Sequence, residues 1–381
     1  MVVANPPYMG AKNMNSWLSS WVKKQYADVK GDLFSCFMVR NSGMGTDHAQ
    51  MGFMTPYVWM FIGTYEKLRR FVIEQNTITS LIQLEYSGFA GATVPICTFT
   101  LQKGKVEGYK GGCIRLFDFP GADQQAPRAL EALADPDCGW FYRADADGFG
   151  AIPGSPIAYW ASEAMVDAFS SCRQLGDLAE PKQGMVTRDN ARFMRMWWEV
   201  TYSRMTTDLT SHENAKKDKS YKWVPCTSGG AYRKWYGNNE SVMNWANDGE
   251  ELIAFSGAHI KNRGYYFRES ITWTAISSSV LSMRYVPTGF VPEHAGNCLY
   301  GSSSALKLLQ GICNSSFCIV VMSLLSPTLN FNVGDLVKVP VKEEDGHTVE
   351  ITSLVDSCRF LSKEEWDNFE VSWGFSHHPL V

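Results

Sequence analysis

The sequence predicts an α/β protein that continues into an α+β region. Three observations predict it. A β-branched run, Val2-Val3-Ala4, stops at Asn5-Pro6-Pro7-Tyr8. Strand-length apolar runs then alternate with helix-period stretches as far as residue 103. From residue 175 onward, basic residues interleave with aromatics and amides between short strand-like runs.

The first run sets the frame. Neither proline has an amide donor, and each restricts the residue before it, so a strand ends here. Asn5 and Tyr8 are then held on a stiff loop at the carboxyl end of that strand. Open α/β sheets bind ligands at that edge. The loop offers two acceptors, the Asn5 side-chain oxygen and the Pro6 carbonyl, beside one flat face, Tyr8. A strand followed by a plain Pro-Pro turn would carry the same residues. The tetrapeptide resembles the catalytic motif of N6-adenine DNA methyltransferases, and the likeness runs over residues 2–103. It implies that Asn5, Pro6, Pro7 and Tyr8 are catalytic. The acceptors would hold the exocyclic amine of an adenine taken out of the duplex, and Tyr8 would stack on the ring.

The rest of this part is expected as follows. Trp17 to Tyr26 reads as a short helix. Asp32 is a plausible N-cap for a helix carrying Leu33, Phe34, Phe37 and Met38. By resemblance, the Asp32-Leu33-Phe34 segment closes one side of the cofactor pocket. Residues 41–50 read as a loop and Met51 to Pro56 as a buried strand. Trp59 to Glu74 reads as one amphipathic helix and Leu81 to Glu85 as a strand. A turn at 88–93 leads to a strand over 94–103, antiparallel to the one before it. By the same likeness this is the C-terminal half of a Rossmann-like methyltransferase sheet. Phe89 is either a second aromatic lining the base pocket or a turn residue packed on the core.

Residues 111–174 are expected to connect two domains, with a Pro/Gly boundary at 152–156 and a helix over 159–171. Asp145-Ala146-Asp147-Gly148 looks like a metal loop but lacks the downstream bidentate acid, so it reads as a turn. Residues 175–345 carry a second likeness. The runs at 184–200, 222–239 and 262–274 resemble the PglX methyltransferases of BREX phage-defence systems. They are also similar to type IIG restriction-modification enzymes. The resemblance implies a target recognition domain that reads double-stranded DNA. Lysine and arginine neutralise phosphates, while arginine and asparagine forks read guanine and adenine edges. The candidates are Arg188, Asn190, Arg192, Arg233, Lys234, Asn238 and Arg263. Residues 346–381 are expected to form a helical tail leading to a further domain, with Trp366 and Trp373 short of sequence to cover them.

Composition bounds the rest. The 381 residues carry a net charge of −4, so there is no global basic footprint, and nucleic-acid contact must come from local clusters. Ten cysteines, none in a CxxC pair, make a zinc site an unfavoured reading. No apolar run reaches spanning length. Without a signal peptide, a reducing cytoplasm is the expected compartment. The implied cofactor is S-adenosylmethionine. No Gly-rich turn in the chain fits it, since Gly43-Met44-Gly45 follows the wrong strand. The chain is therefore expected to be an internal piece of a site-specific adenine methyltransferase, with other defence-system proteins as possible partners. The alternative is a non-catalytic DNA-binding or specificity subunit of a split enzyme.

Overall fold

Val2–Ala4 (β1) lies parallel to Gln50–Pro56 (β2), with Val2 opposite Met51 and Ala4 opposite Phe53. The structure, a computed structural model, describes every residue except 87, 90–93, 327–328, 343–347, 379 and 381. Between these strands come the helices Ser16–Gln25 (α1) and Leu33–Met44 (α2). After β2 come Glu66–Gln75 (α3), Asn76–Gln83 (β3), Ile96–Lys103 (β4) and Lys110–Arg115 (β5). Ala122–Ala134 (α4), Phe141–Asp145 (β6) and Glu163–Ser171 (α5) complete the first of two compact units, Met1–Ser171.

The six strands form one mixed sheet in the order β1-β2-β4-β3-β5-β6. β4 runs antiparallel to both of its neighbours, while β3 is parallel to β5. β1, β2, β3 and β5 therefore share one direction, and their carboxyl ends lie along one edge. The antiparallel pairing of β3 and β4 is the one the sequence predicts. Met51, Phe53, Leu81 and Phe99 are buried together with Phe34 and Met38 of α2 and Leu68 and Val72 of α3. Trp59, with no exposed surface, removes on the order of 200 Å² from water, about 5 kcal/mol of gross hydrophobic free energy.

Several expected bounds shift. The second helix continues to Met44, so the loop expected from residue 41 starts later. Trp59 to Glu74 is not one helix but two 3-10 turns, Tyr57–Met60 and Gly63–Tyr65, ahead of α3. The break has a cause. Arg69, 1% exposed, donates to the Trp59 carbonyl and the Ile62 carbonyl (both 2.8 Å), and to Gly154 O (2.7 and 2.9 Å). Carbonyls that a continuous helix would use are taken by this guanidinium, whose pKa burial lowers to about 10. β3 begins at Asn76, directly after α3, rather than at Leu81. Segment 111–174 is more than a connector: β5 and β6 extend the sheet, because the Ser80–Gln83 edge of β3 needs a partner. The unit therefore closes at Ser171 rather than at residues 152–156, and its last helix begins at Glu163 rather than Tyr159. Residues 90–93 of the expected turn lie outside the described residues.

The second unit, Cys172–Val381, holds short strands. They are Arg173–Gln174 (β7), Glu180–Lys182 (β8), Met194–Met196 (β9), Trp223–Thr227 (β10) and Ser241–Asn244 (β11). Ser270–Thr274 (β12), Met283–Val286 (β13), Val291–Pro292 (β14), Gly296–Tyr300 (β15) and Pro340–Val341 (β16) follow. One sheet has the order β14-β10-β11-β9, a second β13-β12-β15-β8, and β16 pairs with β7. Its helices are Asn190–Phe193 (α6), His212–Lys217 (α7), Ala246–Ala254 (α8), Ser303–Cys313 (α9), Ser316–Leu325 (α10), Val333–Leu336 (α11) and Thr348–Asp367 (α12). Trp245, Phe193, Phe267 and Met243 anchor the core beside β10 and β11.

The terminal helix corrects a further expectation. Trp366 is 4% exposed, with the Arg233 guanidinium 5.0 Å from its ring centre, and Trp373 lies against Phe290. Both rings find partners inside the unit. No single described helix is long and apolar enough to cross a membrane. α9 and α10 pass that test only as a pair, and they are bent by 80°.

Candidate functional site

The Asn5–Tyr8 loop leaves β1 beside the exit of β2, at the shared carboxyl edge. Asn5 and Pro7 are exposed, Pro6 is buried, and Tyr8 keeps 39% of its surface exposed. The Tyr8 hydroxyl donates to the Asn5 side-chain oxygen (3.0 Å) and lies 3.2 Å from the Met54 carbonyl of β2. Its ring meets Phe34 edge-on at 6.5 Å, and Phe34 in turn lies 5.5 Å from Tyr65. Partial burial, with a smaller contribution from Cys97, raises the Tyr8 pKa, so the phenol stays a neutral donor. The amide and the ring are thus fixed to one another and to the sheet before any ligand arrives.

A second contact fixes the loop from the other side. The Met9 amide donates to the Asp32 carboxylate (2.8 Å), and the Leu33 amide to the Met9 carbonyl (3.1 Å). Asp32 also caps α2 through the Phe34 amide, as the sequence predicts. Burial raises its pKa while these backbone donors pull it down. The clamp role of Asp32 was not legible in advance.

The neighbouring loops reach the same edge. The Tyr57 amide donates to Pro95 O (2.7 Å), tying the exit of β2 to the entry of β4. Beneath them, Trp59 donates to Thr55 Oγ1 (3.1 Å), which lies 3.7 Å from the Cys97 thiol. Burial pushes that thiol up to about 12, so it is an inert core group. Phe89, beyond the end of β3, is 41% exposed. Among the described residues, no three His, Cys, Asp or Glu side chains are grouped to hold a metal ion.

In the second unit most of the candidate DNA-binding residues also make contacts within the fold. Arg263 pairs with Asp248, a carboxylate with no exposed surface that also meets His212 Nδ1 (2.7 Å) and accepts from Trp245 Nε1 (3.2 Å). Arg192 pairs with Glu251 (2.7 Å) and lies over Phe193 and Phe255. Arg233 pairs with Glu365, and Lys234 donates to Asn314 O (2.6 Å). Asn238, 9% exposed with a positive φ of 58°, donates to Ala231 O (2.8 Å), so it shapes its loop. Asn190 accepts from Thr187 at the start of α6. Each contact would have to break before the same atoms could fork a base edge. Arg188 alone of the seven is exposed with no hydrogen bond or ion pair among the described residues, on a backbone with φ of 61°.

Residues 1–89 match the family model of the Eco57I restriction-modification methylases. The chain is 34% identical over its whole length to the adenine-specific methyltransferase PglX of Lacticaseibacillus casei (strain Zhang) and covers 32% of that protein. It is 33% identical to the adenine-specific methyltransferase BrxX of Escherichia coli O9:H4 (strain HS), again over its whole length, and covers 30% of it. Among solved structures, the type IIL restriction-modification enzyme MmeI in complex with DNA superposes on 98% of the chain. That match covers 50% of MmeI, with a TM-score of 0.59 at 9% identity. The type ISP enzyme LlaGI, solved with a DNA substrate mimic, superposes on 94% of the chain and covers 35% of LlaGI, with a TM-score of 0.55 at 11% identity. The chain spans about a third of the length of these curated relatives, and over that third it is similar to adenine-specific methyltransferases at 33–34% identity.

Proposed function

We propose that this chain forms part of a site-specific DNA N6-adenine methyltransferase of phage defence or restriction-modification. In this reading Met1–Ser171 supplies the back half of a Rossmann-like catalytic sheet, and the second unit supplies the target recognition domain. The observation that carries it is the Asn5–Tyr8 loop: an exposed amide acceptor locked to an exposed ring at the carboxyl edge of a mixed sheet.

The chemistry follows from the acceptors. The lone pair of an adenine amine is delocalised into its ring. Acceptance of the amine hydrogens by Asn5 Oδ1 and the Pro6 carbonyl favours a more nucleophilic nitrogen. Asn5 Oδ1 has two lone pairs, so it can keep the Tyr8 hydroxyl while accepting from the amine. Tyr8 stacks on the extruded base, and Phe89 offers a second exposed ring beyond β3. S-adenosylmethionine, when bound, supplies the methyl group. The described residues do not make up a cradle for it. The Asp32 carboxylate is taken by the Met9 and Phe34 amides, and Phe34 is buried. Arg188 is the retained candidate for contact with duplex DNA, and other defence-system proteins are proposed partners.

The test is transfer of labelled methyl from S-adenosylmethionine into duplex DNA by the protein that carries this chain. Asn5→Ala is expected to lower the rate by on the order of 10²-fold, as for loss of one oriented hydrogen-bonding group at a reacting centre. An unchanged rate would remove the basis for the reading.

A further inference from the structure

Helix α1 presents a feature that the reading above does not use. Its buried side, Val22 with Leu18 and Tyr26, packs on the core. On its outward side Trp17 is 70% exposed and Trp21 40% exposed. The two rings stack on each other, 6.4 Å between centroids and 11° from parallel, and Trp21 lies 5.6 Å from Tyr26. Spacing of four residues on a helix brings such rings together. Two adjoining indoles left in water form a local apolar surface suited to covering by a flat partner.

Charge indicates the occupant. Lys12, Lys23, Lys24 and Lys30 are exposed, none has an ion pair among the described residues, and Lys24, three residues after Trp21 and seven after Trp17, shares the face of the rings. The first acidic residue of the chain is Asp28, which is engaged by Lys67. In a chain of net charge −4, this amino-terminal stretch is purely cationic as far as residue 27. Flat rings on a stretch whose only charges are lysines suit a strand with splayed bases: the rings take the base faces and the lysines the phosphates. A closed duplex would offer phosphates to the lysines but no base face to the indoles.

The helix is also tied to the Asn5–Tyr8 loop. Ala11 N donates to Gly31 O (3.0 Å), Gly10 bridges Asp32, and α1 starts five residues later. Chain length keeps Trp17 within roughly 30 Å of Tyr8, about the reach of a few unpaired nucleotides.

We propose that Trp17 and Trp21, with Lys24 on the same face and Lys12, Lys23 and Lys30 in the flanking sequence, form a stacking platform for an unpaired stretch of DNA strand beside the extruded base. The identity of the nucleic acid rests on the methyltransferase reading; the preference for unpaired over paired strand rests on the rings themselves.

The experiment is fluorescence anisotropy with a labelled oligothymidylate of about 20 nucleotides, and in parallel a duplex of equal length. Trp17→Ala/Trp21→Ala is expected to weaken oligothymidylate binding about 10-fold or more and to spare the duplex. Trp17→Phe/Trp21→Phe restores most of it. Lys23→Gln/Lys24→Gln lowers the salt slope on the single strand by roughly 1.4, at about 0.7 for each phosphate that is no longer neutralised. Circular dichroism verifies that each variant is folded. Unchanged oligothymidylate binding by the double alanine variant overturns the proposal. So does an equal loss on the duplex, or loss of self-association with DNA affinity unchanged, which would make a second copy the occupant. A chain that binds neither DNA overturns this proposal and the methyltransferase reading together. Binding of both DNAs with no response to the tryptophans overturns this one alone.

Discussion

The Asn5–Tyr8 loop and the basic stretches of the second unit both stand out as candidate sites, and they differ in the folded chain. In the loop, Asn5 and Tyr8 remain exposed while Asp32 holds the following Met9 amide and the Met54 carbonyl lies against the Tyr8 hydroxyl. In the second unit, Arg192, Arg233, Lys234 and Arg263 are spent on Glu251, Glu365, Asn314 and Asp248. The motif tied to a backbone constraint keeps its polar groups exposed. The cluster defined by residue type has most of its cations paired within the fold, because arginine and lysine serve carboxylates and carbonyls inside a fold as readily as phosphates outside it.

Substitutions in the two regions test this contrast. Arg263→Met is expected to cost the most stability, about 3 kcal/mol by denaturant unfolding, because Asp248 keeps its burial and loses its cation. DNA binding should then fall only as far as folding does. Weakened DNA affinity at full stability would return Arg263 to the interface.

Tyr8→Ala comes next, with a fall of about 30-fold in methyl transfer and little change in stability, as expected for loss of one stacked base. Tyr8→Phe keeps the ring and loses the bond to Asn5, so about 5-fold is expected. Equal losses in the two variants would mean that the hydroxyl, not the ring face, carries the effect. Arg188→Ala is the mildest, a several-fold loss of duplex affinity that shrinks as salt rises, with unfolding unchanged. An identical salt slope in wild type and variant would exclude a phosphate contact there.

Sequence carried the first unit further than the second. The strand before the prolines, the Asp32 cap and the antiparallel β3–β4 pair were legible because each has a local cause. The split of the 57–75 segment was not, since Arg69 reaches its carbonyl partners only in the folded unit. Nor was the role of β5 and β6, whose place depends on an edge left open by β3. In the second unit, the commitment of Arg233 to Glu365 joins residues 132 apart, beyond any local pattern. The same long reach hid the burial of Trp366 under that arginine.

The central claim is that the Asn5–Tyr8 loop accepts an adenine amine. Mass spectrometry of nucleosides, from DNA of cells expressing the protein that carries this chain, tests it most directly. The account predicts N6-methyldeoxyadenosine that disappears with Asn5→Ala. Methylated cytosine in its place, or N6-methyldeoxyadenosine that persists in the variant, would contradict it.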